Sequence, residues 1–365
     1  MGGRPRKQQF PNFQPKQPPK MVPIPTTTSI LDKMIDGREY QSLVGIRDIT
    51  IDLGSEMKKA LEEISSIRKR PNLCYISNTV NPAVVKAGCS ISIDGSDDTP
   101  FIEMLKAIPS SVKDIDIILV TPGGSADSVD YFVKILRNRF ENIGFILPYM
   151  AMSAGTIFCL SGDELIMDEA AFIGPIDPQV PSRNGMFVPA QSLMTLIADI
   201  KARGEAQLKA GKQPDWTDVV LLKNLDPKEL GNAITASKLS TRLVTEYLGL
   251  YKFKNWKEHS NGNIVTEEER NKRAGEIASQ LCNNSLWLSH GSRISREIAS
   301  EVCKLKVTYP ETIDGLDRAI KRFWALMRWT FDNNPIAKVY AYAPGDYFLF
   351  RGVNMVQGKK PGGAV

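Results

Sequence analysis

The sequence predicts an α/β fold in which a parallel β-sheet carries helices on its faces. Short apolar runs alternate with helical patterns from residue 55 to about residue 180, and this alternation is typical of parallel sheets. Two of the runs, residues 115–120 and 144–147, are almost continuously apolar, as strands buried on both faces are. After Phe187 the pattern changes to long helices, so we expect helical additions C-terminal to the sheet.

The predicted elements follow one another with short connections. Met57, Leu61 and Ile64 recur at helical spacing and predict a first helix over residues 55–70. Next come strands at 73–77 and 91–94, a helix from Pro100 that Asp98 or Thr99 caps, a strand at 115–120, a helix at 126–140, a strand at 144–147, a helix from Ala154 and a strand at 163–167. Long helices are then predicted over 192–209, 227–251, 267–281, 296–303 and 313–329.

The composition predicts a water-soluble protein in a reducing compartment. Of 365 residues, 42% are apolar and 24% charged, which suits a globular chain. The net charge of +5 is concentrated in the first 20 residues, so we expect no nucleic-acid-binding face. The five cysteines are odd in number and widely spaced, which favours reduced thiols in a cytoplasmic protein over disulfides or a zinc site. No apolar segment suggests a signal peptide at the N-terminus.

Three regions are predicted along the chain. Residues 1–28 are basic and rich in Pro and Gln, which is typical of a disordered tail. Residues 29–308 form the main domain, and residues 309–365 form a helical and aromatic extension that packs on the core or on a neighbouring subunit. Residues 143–162 carry no charge and could cross a bilayer, but Pro148 and Gly155 favour a buried strand, turn and helix.

Two strand ends carry residue types from which a hydrolytic site can be built. Ligand sites in parallel sheets lie at the carboxyl ends of the strands. Gly123 and Gly124 follow the strand at 115–120, and Ser153 follows the strand at 144–147. Glycine lets a backbone N–H point into a cleft, so the N–H groups of Gly124 and Ala154 could stabilise an oxyanion beside a serine nucleophile. The alternative is structural, with a tight turn at the glycines and Ser153 as a helix N-cap.

The general base is less evident from the residues. The chain has only two histidines, of which His259 lies in a polar stretch that indicates a surface loop. His290 precedes a glycine at a helix entrance, where histidine often has a structural capping role. A lysine can act as the base if burial lowers its pKa enough to leave it neutral. The downstream candidates are Lys201, Lys209, Lys212, Lys223 and Lys238.

Four short motifs together resemble the serine dehydrogenase proteinase family. These are Thr121-Pro122-Gly123-Gly124, then Pro148 with residues 151–156 (Ala-Met-Ser-Ala-Gly-Thr), then residues 163–167 (Asp-Glu-Leu-Ile-Met), then residues 173–179 (Ile-Gly-Pro-Ile-Asp-Pro-Gln). Residues 290–295 resemble the closing motif of the family, and the likeness spans about residues 67–307. The family is related to signal peptide peptidase A and to the Clp protease, which implies a Clp protease/crotonase-like fold with a repeated ββα core.

The resemblance implies a site and an assembly. It implies that Ser153 is the nucleophile, with Gly124 and Ala154 as oxyanion donors and Gly123 beside them. It also implies a homo-oligomer, based on trimers or rings. Clp subunits carry a histidine about 25 residues after the serine, where this chain has Asp177, so a Clp-type triad is not expected. Signal peptide peptidases use a lysine instead, which points to Lys212 in Ala210-Gly211-Lys212, or to Lys201.

The sequence therefore predicts a serine peptidase of the Ser/Lys type that acts on peptides or proteins, without a cofactor. The family name includes a dehydrogenase, but the chain carries no Gly-x-Gly-x-x-Gly fingerprint. Two alternatives stay open. One is an inactive assembly or binding module that kept the fold and lost the base. The other is a crotonase-like enzyme whose glycine donors polarise an acyl thioester.

Overall fold

The computed structural model describes residues 29–46, 51–182, 187–259 and 261–352. The predicted tail at residues 1–28 lies outside these ranges. Eleven strands are found in the described residues: β1 (Asn72–Ser77), β2 (Asp114–Val120), β3 (Asn142–Leu147), β4 (Met150–Ala151), β5 (Glu164–Met167), β6 (Phe172–Ile173), β7 (Gln179–Pro181), β8 (Phe187–Pro189), β9 (Ile294–Ser295), β10 (Ile336–Tyr342) and β11 (Tyr347–Gly352).

Thirteen α-helices accompany the strands in the same ranges. They are α1 (Glu39–Leu43), α2 (Leu53–Arg68), α3 (Pro82–Lys86), α4 (Asp98–Lys106), α5 (Ala126–Arg139), α6 (Ala154–Leu160), α7 (Ala190–Lys209), α8 (Trp216–Asn224), α9 (Pro227–Tyr247), α10 (Glu267–Cys282), α11 (Asn284–Trp287), α12 (Arg296–Glu301) and α13 (Leu316–Asn333). The predicted helices and most of the predicted strands are thus present with small shifts at their ends.

A six-stranded sheet forms the centre of the fold, in the order β11-β10-β1-β2-β3-β5. Strands β1, β2, β3 and β5 are parallel to one another. Strand β10 pairs in antiparallel orientation with β1 on one side and with β11 on the other. The predicted α/β fold with a parallel sheet is therefore confirmed. The helices from α7 to α12 follow the parallel strands in the chain, as the helical pattern after Phe187 predicts.

Both faces of this sheet are buried, which explains why its strands are continuous apolar runs. Along one row, Leu73, Ile117 and Phe145 pair across adjacent strands and pack in the core formed with α4, α5 and α6. The next row, with Ile118 and Ile146, faces the opposite core formed with α2 and α13. A one-residue change of register would exchange the two rows, so the pairing is strongly specified.

The C-terminal segment belongs to this same sheet. The sequence predicted a helical and aromatic extension from residue 309 that packs on the core or on a neighbour. In the structure α13 packs against α2, and β10 lies between β1 and β11, with Tyr340 paired to Tyr75. The segment thus completes the central sheet rather than lying outside it. Local patterns did not reveal this because the pairing joins residues more than 250 positions apart.

Residues 91–94 and 143–162 differ in how well they match the sequence predictions. Residues 91–94 do not form a strand, and Ile93 makes only an isolated parallel bridge with Gly124. The uncharged residues 143–162 form most of β3, then β4 and α6, all packed inside the fold. Among the described residues, no helix combines the length and apolar character that crossing a bilayer requires.

Candidate active site

Four backbone segments meet side by side beyond the carboxyl edge of the sheet. Thr121 forms a parallel bridge with Ala151, which pairs in parallel with Ile173. Ile173 in turn pairs in antiparallel orientation with Ile294. The four residues therefore lie in one row across neighbouring segments, about 4.8 Å apart at each step. The candidate site is formed by the residues that lie on one side of this row.

The residues with reactive side chains or free backbone donors all lie on the same side of this row. Past Thr121 the chain reaches Gly123 and Gly124, and past Ala151 it reaches Ser153. Past Ile173 it reaches Asp177. The segment with Ile294 runs the opposite way, so it is the preceding residue His290 that lies on this side. The structure thus brings the glycines, Ser153, Asp177 and His290 to one end of the small sheet β4-β6-β9.

The backbone at Ser153 is strained in a way that suits a nucleophile. Its φ of 51° and ψ of −118° differ from the ordinary left-handed helical region, where Lys69 lies with φ 55° and ψ 30°. Such strain costs on the order of 1–3 kcal/mol and persists mostly where function requires it. The residue stands between β4 and α6, in a sharp turn from strand to helix that exposes a serine hydroxyl in other hydrolases.

Small neighbours make the sharp turn possible. A side chain at Gly155 would meet Thr121 Cγ2 at 2.4 Å, and one at Gly174 would meet Met152 Cε at 2.5 Å. The Thr156 hydroxyl donates to the Ala151 carbonyl at 2.8 Å and accepts from the Gly174 N–H at 3.0 Å. These contacts fix the turn between β4 and β6 from both sides.

The hydroxyl of Ser153 is free. The residue occupies the N-cap position of α6, as the structural alternative predicted, but its side chain makes no capping hydrogen bond. Within the described part of the chain its Oγ contacts no donor or acceptor at hydrogen-bond distance. The side chain is half-buried, so the hydroxyl is neither lost in the core nor used to stabilise the helix.

Gly123 lies directly against this serine. A side chain at Gly123 would approach Ser153 Cβ to 2.8 Å and the Met152 carbonyl to 2.6 Å, and its φ of 102° suits only glycine. Its own N–H donates to Thr121 Oγ1 at 3.2 Å, so it is not available to a substrate. Gly123 therefore brings the glycine turn and the serine turn into contact without contributing a donor.

Gly124 and Ala154 offer the two unused donors. The Ile93 N–H donates to the Gly123 carbonyl at 2.7 Å, and the Ser125 N–H donates to the Ile93 carbonyl at 2.8 Å. This pattern turns the N–H and C=O of Gly124 away from Ile93. Among the described residues, neither the Gly124 N–H nor the Ala154 N–H has an acceptor. Ala154 follows Ser153 in the chain, and Gly124 follows Gly123, which lies against Ser153, so both N–H groups are candidates to stabilise a negative oxygen.

We expect Gly124→Ala to lower the reactivity of Ser153 by at least about 100-fold, the usual cost of one lost oxyanion donor. A Cβ at this position would lie 2.2 Å from the Ile93 carbonyl oxygen, so the turn must move. The measurement is the rate of labelling by a fluorophosphonate probe. Gly37→Ala is the matched control, because Gly37 also has a positive φ but open space around it. An unchanged rate in a folded Gly124→Ala protein would contradict the assignment.

His290 and Asp177 form the ionisable pair of the site. The Nδ1 of His290 lies 3.0 Å from Asp177 Oδ1, and the carboxylate is fully buried while the imidazole is half-buried. The second oxygen of Asp177 is buried without a partner among the described residues. A carboxylate that accepts from Nδ1 fixes the tautomer in which Nε2 can accept a proton. The predicted capping role of His290 is thus replaced by contact with a buried acid.

The lysines predicted as bases lie elsewhere. Lys201 in α7 has an exposed side chain 3.8 Å from Glu205, and Lys212 is exposed in the turn after Gly211. The other candidates, Lys209, Lys223 and Lys238, are exposed too. None of the five lysines is therefore buried. His259 contacts Glu269 at 3.4 Å near the surface, as the polar sequence around it predicts.

The residue that sequence reasoning missed is Asp177. The sequence showed it only as the replacement for a Clp-type histidine. Its link to His290 spans 113 positions, so neither local spacing nor periodicity could pair them. A usable signal was present nevertheless, because an aspartate just after an apolar strand and a lone histidine before another strand can meet at one sheet edge.

Comparison with known proteins shows that the centre of the chain is similar to a protease family. Residues 58–207 match the model of the ClpP-like SDH-type serine proteinases. Uncharacterized protein MJ0137 of Methanocaldococcus jannaschii is 42% identical over 97 residues, which are 26% of this chain and 32% of the relative. Uncharacterized protein MJ1495 of the same organism is 40% identical over 80 residues, or 21% and 27% of the two chains. The chain thus spans about three tenths of the length of these relatives.

Solved structures are similar over parts of the chain. A serine-to-alanine mutant of the 1510-N membrane-bound stomatin-specific protease is 22% identical, with 48% of this chain and 87% of that one covered and a TM-score of 0.24. A lysine-to-alanine mutant of that protease with a substrate peptide is 26% identical, with 30% and 52% covered and a TM-score of 0.21. A putative enoyl-CoA hydratase from Thermobifida fusca in complex with CoA is 16% identical, with 59% and 93% covered and a TM-score of 0.20.

The matched region contains the glycine turn, the serine turn and Asp177, whereas His290 lies outside it. The family predicted from the four motifs is the one that the family model identifies. Residues 58–207 of this protein are therefore similar to the ClpP-like SDH-type serine proteinases, the family that the four motifs resemble.

Proposed function

We propose that this protein is a serine peptidase in which Ser153 is the nucleophile and the His290–Asp177 pair is the base. The observation that carries the proposal is the convergence at one sheet edge of a strained serine with a free hydroxyl, two unused backbone donors and an imidazole paired with a buried acid. Each part has a structural explanation by itself. Together they supply the three requirements of acyl transfer, which are a nucleophile, a base and oxyanion stabilisation.

The reaction would proceed in two acyl-transfer steps. Ser153 Oγ attacks the peptide carbonyl carbon while its proton moves to His290 Nε2, and the N–H groups of Gly124 and Ala154 stabilise the oxyanion. The carbon–nitrogen bond then breaks, and the imidazolium gives the proton to the leaving amine. Water hydrolyses the resulting ester with the same imidazole as base. Asp177 stays ionised throughout and stabilises the imidazolium.

In the structure Ser153 and His290 are not hydrogen-bonded, and we infer that substrate binding brings the two side chains into contact. Catalytic hydrogen bonds are often longer in free enzymes than in the substrate complex. A lysine base, with Lys212 or Lys201 as predicted from the sequence, is the alternative that this separation leaves open. The pair is preferred because its acid is buried and its imidazole half-buried at the same edge as Ser153, whereas both lysines are exposed.

The substrate proposed is an extended peptide beside the glycine turn. Ile93 occupies one side of this turn, and the N–H and C=O of Gly124 face the other side without a partner among the described residues. A peptide strand can add to such an edge through main-chain hydrogen bonds. We also propose a homo-oligomer based on trimers or rings, which the family resemblance implies. A cytoplasmic location agrees with the five free cysteines.

The decisive experiment is labelling with a fluorophosphonate probe, followed by mass spectrometry of the modified peptide. We expect labelling of Ser153 in the unaltered protein and its loss in Ser153→Ala, together with loss of casein cleavage. Ser111→Ala is the matched control, because Ser111 is exposed in the loop before β2, at the opposite edge of the sheet. Absence of labelling in the folded, unaltered protein would overturn the proposal and favour the inactive binding module.

A further inference from the structure

A cavity of about 930 Å³ opens at the opposite edge of the central sheet. Its wall contains Asp114, Asn142 and Glu164, which begin β2, β3 and β5. Because these strands are parallel, their amino ends lie at the edge away from Ser153. The cavity is therefore separate from the proposed peptidase site. Its volume is in the range of pockets that hold small organic ligands.

The wall of this cavity is strongly positive. Seven lysine and arginine residues line it, against three aspartate and glutamate residues. The arginines among them have internal partners. Arg68 and Arg70 bind the buried Asp116 and also Glu164. Arg273 pairs with Glu276 at 2.8 Å. The arginines therefore take part in ion pairs within the fold.

Asp163, another acid of the wall, also has cationic partners. It is held by Arg137 at 2.9 Å and by Lys254 at 2.6 Å. The remaining acid, Asp114, accepts a hydrogen bond from the Asn142 amide at 2.7 Å. Asp163 and Glu164 are thus paired with other cations, and the exposed Asp114 is the one acid of the wall whose charge has no cationic partner among the described residues.

Four lysines remain, Lys69, Lys252, Lys304 and Lys306. In the described part of the chain none of them has a carboxylate within ion-pair distance. They come from three separate segments, namely the end of α2, the turn after α9 and the loop after α12. Bringing like charges together around one cavity is unfavourable unless a counter-charge binds between them. Burial lowers the pKa of Lys252 to about 8, against the effect of nearby acids, so its charge in particular lacks a partner.

An aromatic surface lies in the same wall. Phe253 and Trp256 pack edge to face with ring centroids 5.7 Å apart, and both line the cavity. Phe253 is buried, and Trp256 is half-buried. An indole face beside a group of lysines can stack on a planar base while the lysines neutralise phosphates.

We propose that this cavity binds a nucleoside diphosphate or triphosphate. The four lysines hold the phosphate groups, and Trp256 stacks on the base. Lysine acts as a point charge toward phosphate, so the site needs several of them rather than one bidentate group. The site does not depend on the chemistry at Ser153, since the two lie at opposite edges of the sheet.

Isothermal titration calorimetry with ADP, ATP and pyrophosphate tests the proposal. We expect saturable binding of ADP and ATP that Lys252→Met and Lys306→Glu each weaken at least tenfold. The matched control is Lys86→Glu, which reverses the charge of an exposed lysine after β1 and should change the dissociation constant less than twofold. Lys306 is exposed, so its variant is expected to fold even if the partly buried Lys252 is needed for stability.

The ligand class is tested by comparison among probes. We expect both nucleotides to bind at least tenfold more tightly than pyrophosphate, and Trp256→Leu to remove this difference. Equal affinity for pyrophosphate would overturn the nucleotide assignment, and so would tighter binding of a single-stranded oligonucleotide. Absence of saturable binding would overturn the site altogether. Ser153→Ala should bind ATP normally, which separates failure here from failure of the proposed peptidase activity.

Discussion

Replacement of His290 by alanine is expected to lower the rate of Ser153 labelling by about 100-fold to 10,000-fold, the usual contribution of a positioned general base. The physical reason is that a neutral serine hydroxyl is a weak nucleophile unless a base accepts its proton. His290 carries the ionisable nitrogen that a buried acid orients at this edge, with 3.0 Å between Nδ1 and Asp177 Oδ1. The measurement is the second-order rate constant for the fluorophosphonate probe, together with casein cleavage.

The matched control is His259→Ala, since His259 is the only other histidine and lies near the surface against Glu269. Its labelling rate should stay within twofold of the unaltered protein. Lys201→Ala and Lys212→Ala should behave in the same way. If Lys212→Ala or Lys201→Ala lost labelling while His290→Ala kept it, the base would be a lysine and the role of the His290–Asp177 pair would be wrong.

Replacement of Lys338 by methionine is expected to destabilise the protein by about 3–5 kcal/mol, the cost of breaking one partner from a buried ion pair. Lys338 in β10 is 1% exposed, and its Nζ lies 2.6 Å and 2.9 Å from the two oxygens of Asp97. Asp97 is fully buried and also accepts from the hydroxyls of Tyr75 and Tyr340. Urea unfolding measures the change, since the midpoint should fall with little change in slope.

The same substitution should slow the labelling of Ser153 in the molecules that remain folded. Lys338 Nζ also donates to the Ser92 carbonyl at 2.6 Å, next to Ile93. Ile93 in turn holds Gly123 and Ser125 through two backbone hydrogen bonds. Loss of the lysine therefore loosens the segment that positions the Gly124 donor.

Lys321→Met is the control for the loss of a lysine from an ion pair. Lys321 pairs with Asp317 at 2.9 Å on α13, but its side chain is 32% exposed. Such a pair contributes only about 0–1 kcal/mol. The double variant Lys338→Met with Asp97→Asn should be less destabilised than Lys338→Met alone, because the buried carboxylate that lost its closer cation, and keeps only Arg351 at 3.4 Å, is then neutral. Equal stability of Lys338→Met and the unaltered protein would show that the pair does not hold β10 in the sheet.

Local requirements explain why the sequence was sufficient for half of the site. Ser153 stands in a turn that needs small residues on both sides, and Ala151, Ala154 and Gly155 are visible as such in the sequence. The positive φ of Gly123 and Gly124 likewise needs glycine, and glycine pairs at strand ends can be recognised directly. The parallel sheet was predictable for a similar reason, since strands buried on both faces must be apolar throughout.

The proposed base and the C-terminal part of the sheet depend on pairing between distant positions. His290 meets Asp177 across 113 positions, and Lys338 meets Asp97 across 241. A lysine in the apolar run 336–342 looks like a surface residue until β10 enters the sheet and places it against a buried acid. The lysines that were predicted as bases had suitable spacing from Ser153, but spacing along a helix does not determine burial. Local periodicity thus determined the elements, the glycine turn and Ser153. Only the tertiary structure decided which ionisable side chains meet there. A buried charge needs a partner, and in this fold the partner comes from a distant part of the sequence.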